Sequence, residues 1–132
     1  SNSVVKSGIE LEPILKSTDS LEILYYDNPD GDSLRYARFY KYVASKDSNL
    51  INTILSNLGQ NFETRNEPMK CRSEGKIYLY KKLDPIKTVY FSTRCDTCCY
   101  LYFIKDGAFL YFPISDSMKR SLKENKVNSK KP

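Results

Sequence analysis

The chain has 132 residues, enough for one domain with a single buried core, and its 40% apolar and 28% charged residues exclude wholesale disorder. It contains no histidine, the side chain most used as a general base near neutral pH and the commonest metal ligand, which weighs against an enzyme. The formal charge of +5 lies wholly after Met118, where six basic residues face one acidic residue, so the rest of the chain is neutral and lacks the basic surface of a nucleic-acid binder.

Residues 1–8 are polar and are expected to be disordered. The start at Ser1 without Met fits either a removed signal peptide or a tag scar. In "GIELEPILKSTDS" Pro13 forbids a central strand, so an irregular or edge segment is expected. "LEILYYDNPDGDSLRYARFYKYV" reads as a hairpin that turns over DNPDGDS, with alternation through Val43. The acids of that turn lack the spacing of a calcium loop, since the twelfth position from Asp27 is Arg38 rather than Glu.

Leu50, Ile51, Ile54, Leu55 and Leu58 recur at helical spacing, with Asp47 or Ser48 suited to cap the start and Gly59 to end the helix in the left-handed conformation. "QNFETRNEPMKCRSE" is a polar connector. Four alternating strands follow: GKIYLYKK, IKTVYFSTR, CYLYFIK and AFLYFPI, with turns at LDPI, CDTC and KDG. A last helix is capped by Ser115 or Asp116 and anchored by Met118 and Leu122. One domain over residues 9–126 and a basic disordered tail over 127–132 complete the organisation; no apolar run reaches the ~20 residues of a membrane helix.

Short turns between sequential strands make them antiparallel. The economical packing is an α+β two-layer sandwich: a curved antiparallel sheet of about six strands with two helices on one face, in the order strand-strand-helix-four strands-helix. In element order alone, the stretch from Leu34 to Lys126 resembles one repeat of the TATA-binding-protein fold preceded by an extra strand. Topology of that kind implies nothing about function.

Strand side chains alternate between faces, so parity divides them. Ala37, Phe39, Val43, Ile77, Leu79, Val89, Phe91, Leu101, Phe103, Leu110 and Phe112 form an apolar set, to be covered by the helices. Tyr36, Arg38, Tyr40, Tyr42, Tyr78, Tyr80, Tyr90, Tyr100, Tyr102 and Tyr111 form the other, which holds nine of the chain's 11 tyrosines. Phenols there keep their hydroxyls within reach of water or a partner, and tyrosine and arginine are favoured interface anchors. The set is therefore the candidate binding face for a protein, peptide or glycan, unless the Ile9–Thr18 segment or a second copy of the chain covers it. The division depends on register: Tyr102 opposite Tyr111, Tyr80 beside Tyr90, Phe91 beside Phe103.

Cys71, Cys95, Cys98 and Cys99 are disulfide candidates. Cys95 can pair with Cys98 or with Cys99, leaving the third for Cys71; a zinc site and free thiols are the rivals. Neither a phosphate-cradling glycine loop nor a nucleophile with an identifiable base is present. The reading is a non-enzymatic binding or interaction domain without cofactor or metal, placed in the periplasm, at the cell surface or in the secreted space, with any lipid anchor upstream of Ser1. The alternative is an intracellular nucleic-acid-binding or regulatory module with reduced or zinc-bound cysteines and a basic C-terminal tail.

Overall fold

A computed structural model describes residues 7–30, 39–96 and 98–132. The chain opens with a one-turn helix α1 (Gly8–Leu11) and a 3-10 turn (Pro13–Ser17). It continues through β1 (Ser20–Tyr26), β2 (Tyr40–Ser45), α2 (Ser48–Leu58), β3 (Glu63–Arg65), β4 (Gly75–Lys81), β5 (Asp84–Arg94), β6 (Cys98–Lys105), β7 (Ala108–Pro113) and α3 (Asp116–Val127). The seven strands form one open antiparallel sheet in the order β2-β1-β4-β5-β6-β7-β3. The α+β class is as expected, with one more strand than the sequence indicates. No described helix is long and apolar enough to cross a membrane.

Parity builds the core. Ile77, Leu79, Val89, Phe91, Leu101, Phe103, Leu110 and Phe112 all point to one face and are buried with Leu50, Ile51, Ile54 and Leu58 of α2 and Met118 and Leu122 of α3. Leu21, Ile23 and Tyr25 of β1 extend the same layer. Phe39 does not belong to it: it precedes β2 and is 64% exposed. The alternation that should place it fails because β2 begins one residue later, with Tyr40 opposite Tyr26. Ala37, Tyr36 and Arg38 lie outside the described residues.

The helix ends follow their caps. Asp47 accepts from Asn49 N–H at the start of α2, and Ser115 Oγ accepts from Met118 N–H at the start of α3. Gly59 ends α2 without the left-handed geometry, at φ −81°, because its N–H still bonds back to the Leu55 carbonyl. Asn57 ties the two helices to the sheet: its Nδ2 donates to Pro113 O at 3.0 Å and its Oδ1 accepts from Ser115 N–H at 2.8 Å.

The Pro13 segment joins the helical layer rather than the sheet edge. Leu15 is fully buried in the core, and Glu12 accepts from Lys105 at 2.8 Å and Lys87 at 3.4 Å at the ends of β6 and β5. Behind the last helix, Lys130 exchanges two backbone hydrogen bonds with Tyr42 on the outer edge of β2.

Register is where the chain departs most from expectation. The β4–β5 turn is Lys82-Leu83, both at positive φ (49° and 70°), not LDPI. Lys81 then pairs with Asp84, and an irregularity beside Leu79/Tyr80 inserts one extra residue, so that Leu79 faces Lys87 and Lys76 faces Tyr90. Without that bulge the two-residue turn would throw β5 out by one and reverse its faces. Tyr80 therefore sits opposite Pro85, not beside Tyr90, and Phe91 sits opposite Leu101, not Phe103. Tyr102 does face Tyr111, across the Asp106-Gly107 turn, where positive φ at both residues (51° and 79°) gives the geometry that glycine tolerates.

Candidate functional site

The phenol layer lies on the face away from the helices. Cross-strand pairing puts Lys76, Tyr90, Tyr102 and Tyr111 in one row over β4, β5, β6 and β7. The rings of Tyr90 and Tyr102 stack with centroids 4.9 Å apart, and Tyr102 meets Tyr111 at the same distance. Tyr100 packs edge-on to Tyr111. Tyr78 and Tyr80 follow one another on β4, ring centres 6.4 Å apart, with Lys76 Nζ 5.1 Å from the Tyr78 ring. Tyr40 and Tyr42 lie on the same side of β2, opposite Tyr26 and Leu24.

This layer is divided in two by the polar connector. β3 is at one edge of the sheet and β4 is four positions away, so residues 66–74 must cross β7, β6 and β5, roughly 19 Å at the usual strand spacing. With α2 and α3 on the other face, the crossing runs over the phenols. Met69 N–H donates to the Tyr111 hydroxyl at 2.8 Å, and the Ser73 hydroxyl lies 3.5 Å from that of Tyr102. A disulfide from Cys71 to Cys98 fixes the connector to β6, and Glu74 at its end accepts from Ser92 Oγ, Thr93 N–H and Thr93 Oγ1. Over this half of the layer the cover is the connector rather than the Ile9–Thr18 segment.

Tyr111 is consequently 3% exposed and belongs to the fold's interior. Tyr78, Tyr80, Tyr90, Tyr100, Tyr102, Tyr40 and Tyr42 stay half-buried. Burial, then the nearby Glu22 carboxylate and the Tyr78 phenol, raise the Tyr80 pKa, so this hydroxyl is a hydrogen-bond donor at neutral pH. Beside it a hollow of about 350 Å³ is lined by Ser20, Glu22, Ala44, Lys46 and Leu83, the last 81% exposed at its turn.

The cysteines resolve into Cys71–Cys98 and Cys95–Cys99. All four are paired, which leaves no thiolate to hold zinc.

Two features lie outside the two sets read from sequence. Tyr25 lies in the core layer, where its hydroxyl donates to the Leu122 carbonyl at 2.6 Å and burial pushes its pKa up. The phase of Leu21 and Ile23 carries that signal. The second is a cleft of about 530 Å³ between α3 and the ends of β1 and β5, floored by Tyr25, Phe91 and Leu122. Its rim is basic, supplied by Lys119, Arg120, Lys123 and Lys126 of α3 with Arg94 of β5.

Comparison with protein-family models, curated proteins and solved structures returns no match to this chain. The comparison with solved structures gives the expected likeness to the TATA-binding-protein fold no support, and β3 between α2 and β4 interrupts the element order on which it was drawn.

Proposed function

We propose that this is a non-enzymatic extracytoplasmic domain that binds a protein or peptide partner through the uncovered half of its phenol layer, centred on Tyr78 and Tyr80. The single observation that carries the reading is asymmetry of cover. The connector shields Tyr111, while Tyr78 and Tyr80 present rings beside an exposed Leu83 and an adjacent hollow. Large aromatic surfaces with few rotamers to freeze are favoured at recognition sites. Lys76, Glu22 and Lys46 around them supply charges of both signs for orienting a peptide.

Two disulfides in a chain of this size favour an oxidising compartment, which supports the extracytoplasmic placement. The absence of a nucleophile–base pair from the sequence supports the non-enzymatic part.

The test is peptide selection on the folded domain, with each enriched peptide then measured against the Tyr78→Ala/Tyr80→Ala variant. Loss of two central aromatic anchors should weaken binding about 30-fold or more while leaving the melting temperature nearly unchanged. Peptides that bind the variant as tightly as the wild type would refute the assignment.

A further inference from the structure

The cleft beside α3 is built on the opposite side of the sheet from the phenols, and its chemistry differs. Met118 and Leu122 are locked in the core, which fixes the rotation of α3 and turns Lys119, Lys123 and Lys126 along the flank that overlooks the opening. The Tyr25 hydroxyl bonded to the Leu122 carbonyl pins that helix to β1. The floor is apolar and aromatic, Tyr25 and Phe91 meeting edge to face at 5.7 Å, and Lys126 Nζ stands 6.0 Å from the Tyr25 ring centre.

Charge on the rim is unbalanced. Arg94 is held by Asp30 through two hydrogen bonds and lies 3.6 Å from Glu74. Glu74 is further occupied by Ser92 and Thr93. Lys119 has Asp116 at 3.7 Å. Among the described residues no carboxylate lies within ion-pair distance of Arg120, Lys123 or Lys126, and Asp27 is the one further acid on the lining. Several ammonium groups gathered at the mouth of a largely apolar recess repel one another unless an anion joins them.

We propose that this cleft binds a small organic anion, its phosphate or carboxylate on Lys123 and Lys126 and its apolar body along the lysine stems, over the narrow strip of Tyr25 and Phe91 left open at the base. A volume of about 530 Å³ lies within the range of small-molecule sites, and an aromatic floor with a few convergent charges is their usual composition. A nucleic-acid strand would need a basic track beyond a single helix flank. The site is independent of Tyr78 and Tyr80.

The test uses 1-naphthyl phosphate, 1-naphthoate and neutral 1-naphthol in isothermal titration against the wild type, Lys123→Gln/Lys126→Gln and Tyr78→Ala/Tyr80→Ala. Lys123 and Lys126 are exposed, so their replacement leaves the fold in place. The expected result is one-to-one binding of an anionic probe at least about tenfold tighter than naphthol. That advantage falls about tenfold or more in the lysine variant and is retained in the tyrosine variant. Tighter binding of the phosphate assigns a phosphate ester as ligand class, and tighter binding of the carboxylate assigns a carboxylic acid. Anions that bind no better than naphthol, or an affinity unmoved by the lysine variant or lost with the tyrosine variant, would overturn the proposal.

Discussion

Glu12 joins the amino-terminal segment to the sheet by a single carboxylate. The hydrogen bond from Lys105 holds its pKa below the ordinary 4.5, against partial burial, with Lys87 adding to the same effect. A carboxyl whose pKa is lowered by folding stabilises the folded state above its unfolded pKa, and that contribution is lost as the pH falls through the folded value. Thermal melts of Glu12→Gln should therefore lie below those of the wild type at pH 7, and the gap should close as the pH drops below 4.5. A gap independent of pH would mean that the side chain acts by packing alone. Gly75 shows the opposite kind of constraint, steric rather than ionic. A Cβ there would fall on the Leu24 carbonyl oxygen and stand 2.6 Å from Phe91 Cζ, so β4 can begin against β1 and β5 only with glycine at this place.

Among the elements, those with a long apolar period were legible and those held by tertiary contact were not. Leu50 to Leu58 and the alternation in β4 to β7 mark their own structure. β3 does not, because Glu63-Thr64-Arg65 is an exposed polar edge whose only instruction to be a strand is its pairing with β7. The bulge in β5 is equally silent: the turn at Lys82-Leu83 is fixed partly by Asp19, which accepts from Lys82 N–H at 2.9 Å from 63 residues away in sequence. Nor could the path of residues 66–74 be foreseen before the sheet order separated β3 from β4. Once it is known, the Cys71–Cys98 bridge becomes the fastening of that path, with a sequence separation of 27. Cys71→Ser/Cys98→Ser should lose about 3 to 4 kcal/mol of unfolding free energy in denaturant titration, on the chain-entropy estimate for a loop of that length. It should also speed hydrogen exchange at the Met69 amide, which now bonds to Tyr111. Unchanged stability and exchange would show that the connector is held by its hydrogen bonds alone.

The molecule as a whole is a sheet with two differently finished sides. Hydrocarbon side chains meet α2, α3 and Leu15 on one, and phenols occupy the other. The sequence carried this division through parity, and the structure amends it: Tyr111 goes under the connector, and Tyr25, which belongs to neither set, adds a phenol to the core. The basic cleft was hidden for a different reason. Lys119, Lys123 and Lys126 read in sequence only as part of the excess positive charge after Met118, and become a rim only when Met118 and Leu122 set the helix rotation over Tyr25 and Phe91. Nitration of the native protein by tetranitromethane, mapped residue by residue by mass spectrometry, tests the two-sided arrangement most directly. Tyr78, Tyr80, Tyr40 and Tyr42 should react readily, while Tyr25 and Tyr111 stay unmodified until the chain is unfolded. Native-state nitration of Tyr25 or Tyr111 at the rate of Tyr80 would contradict the arrangement, and with it the binding face.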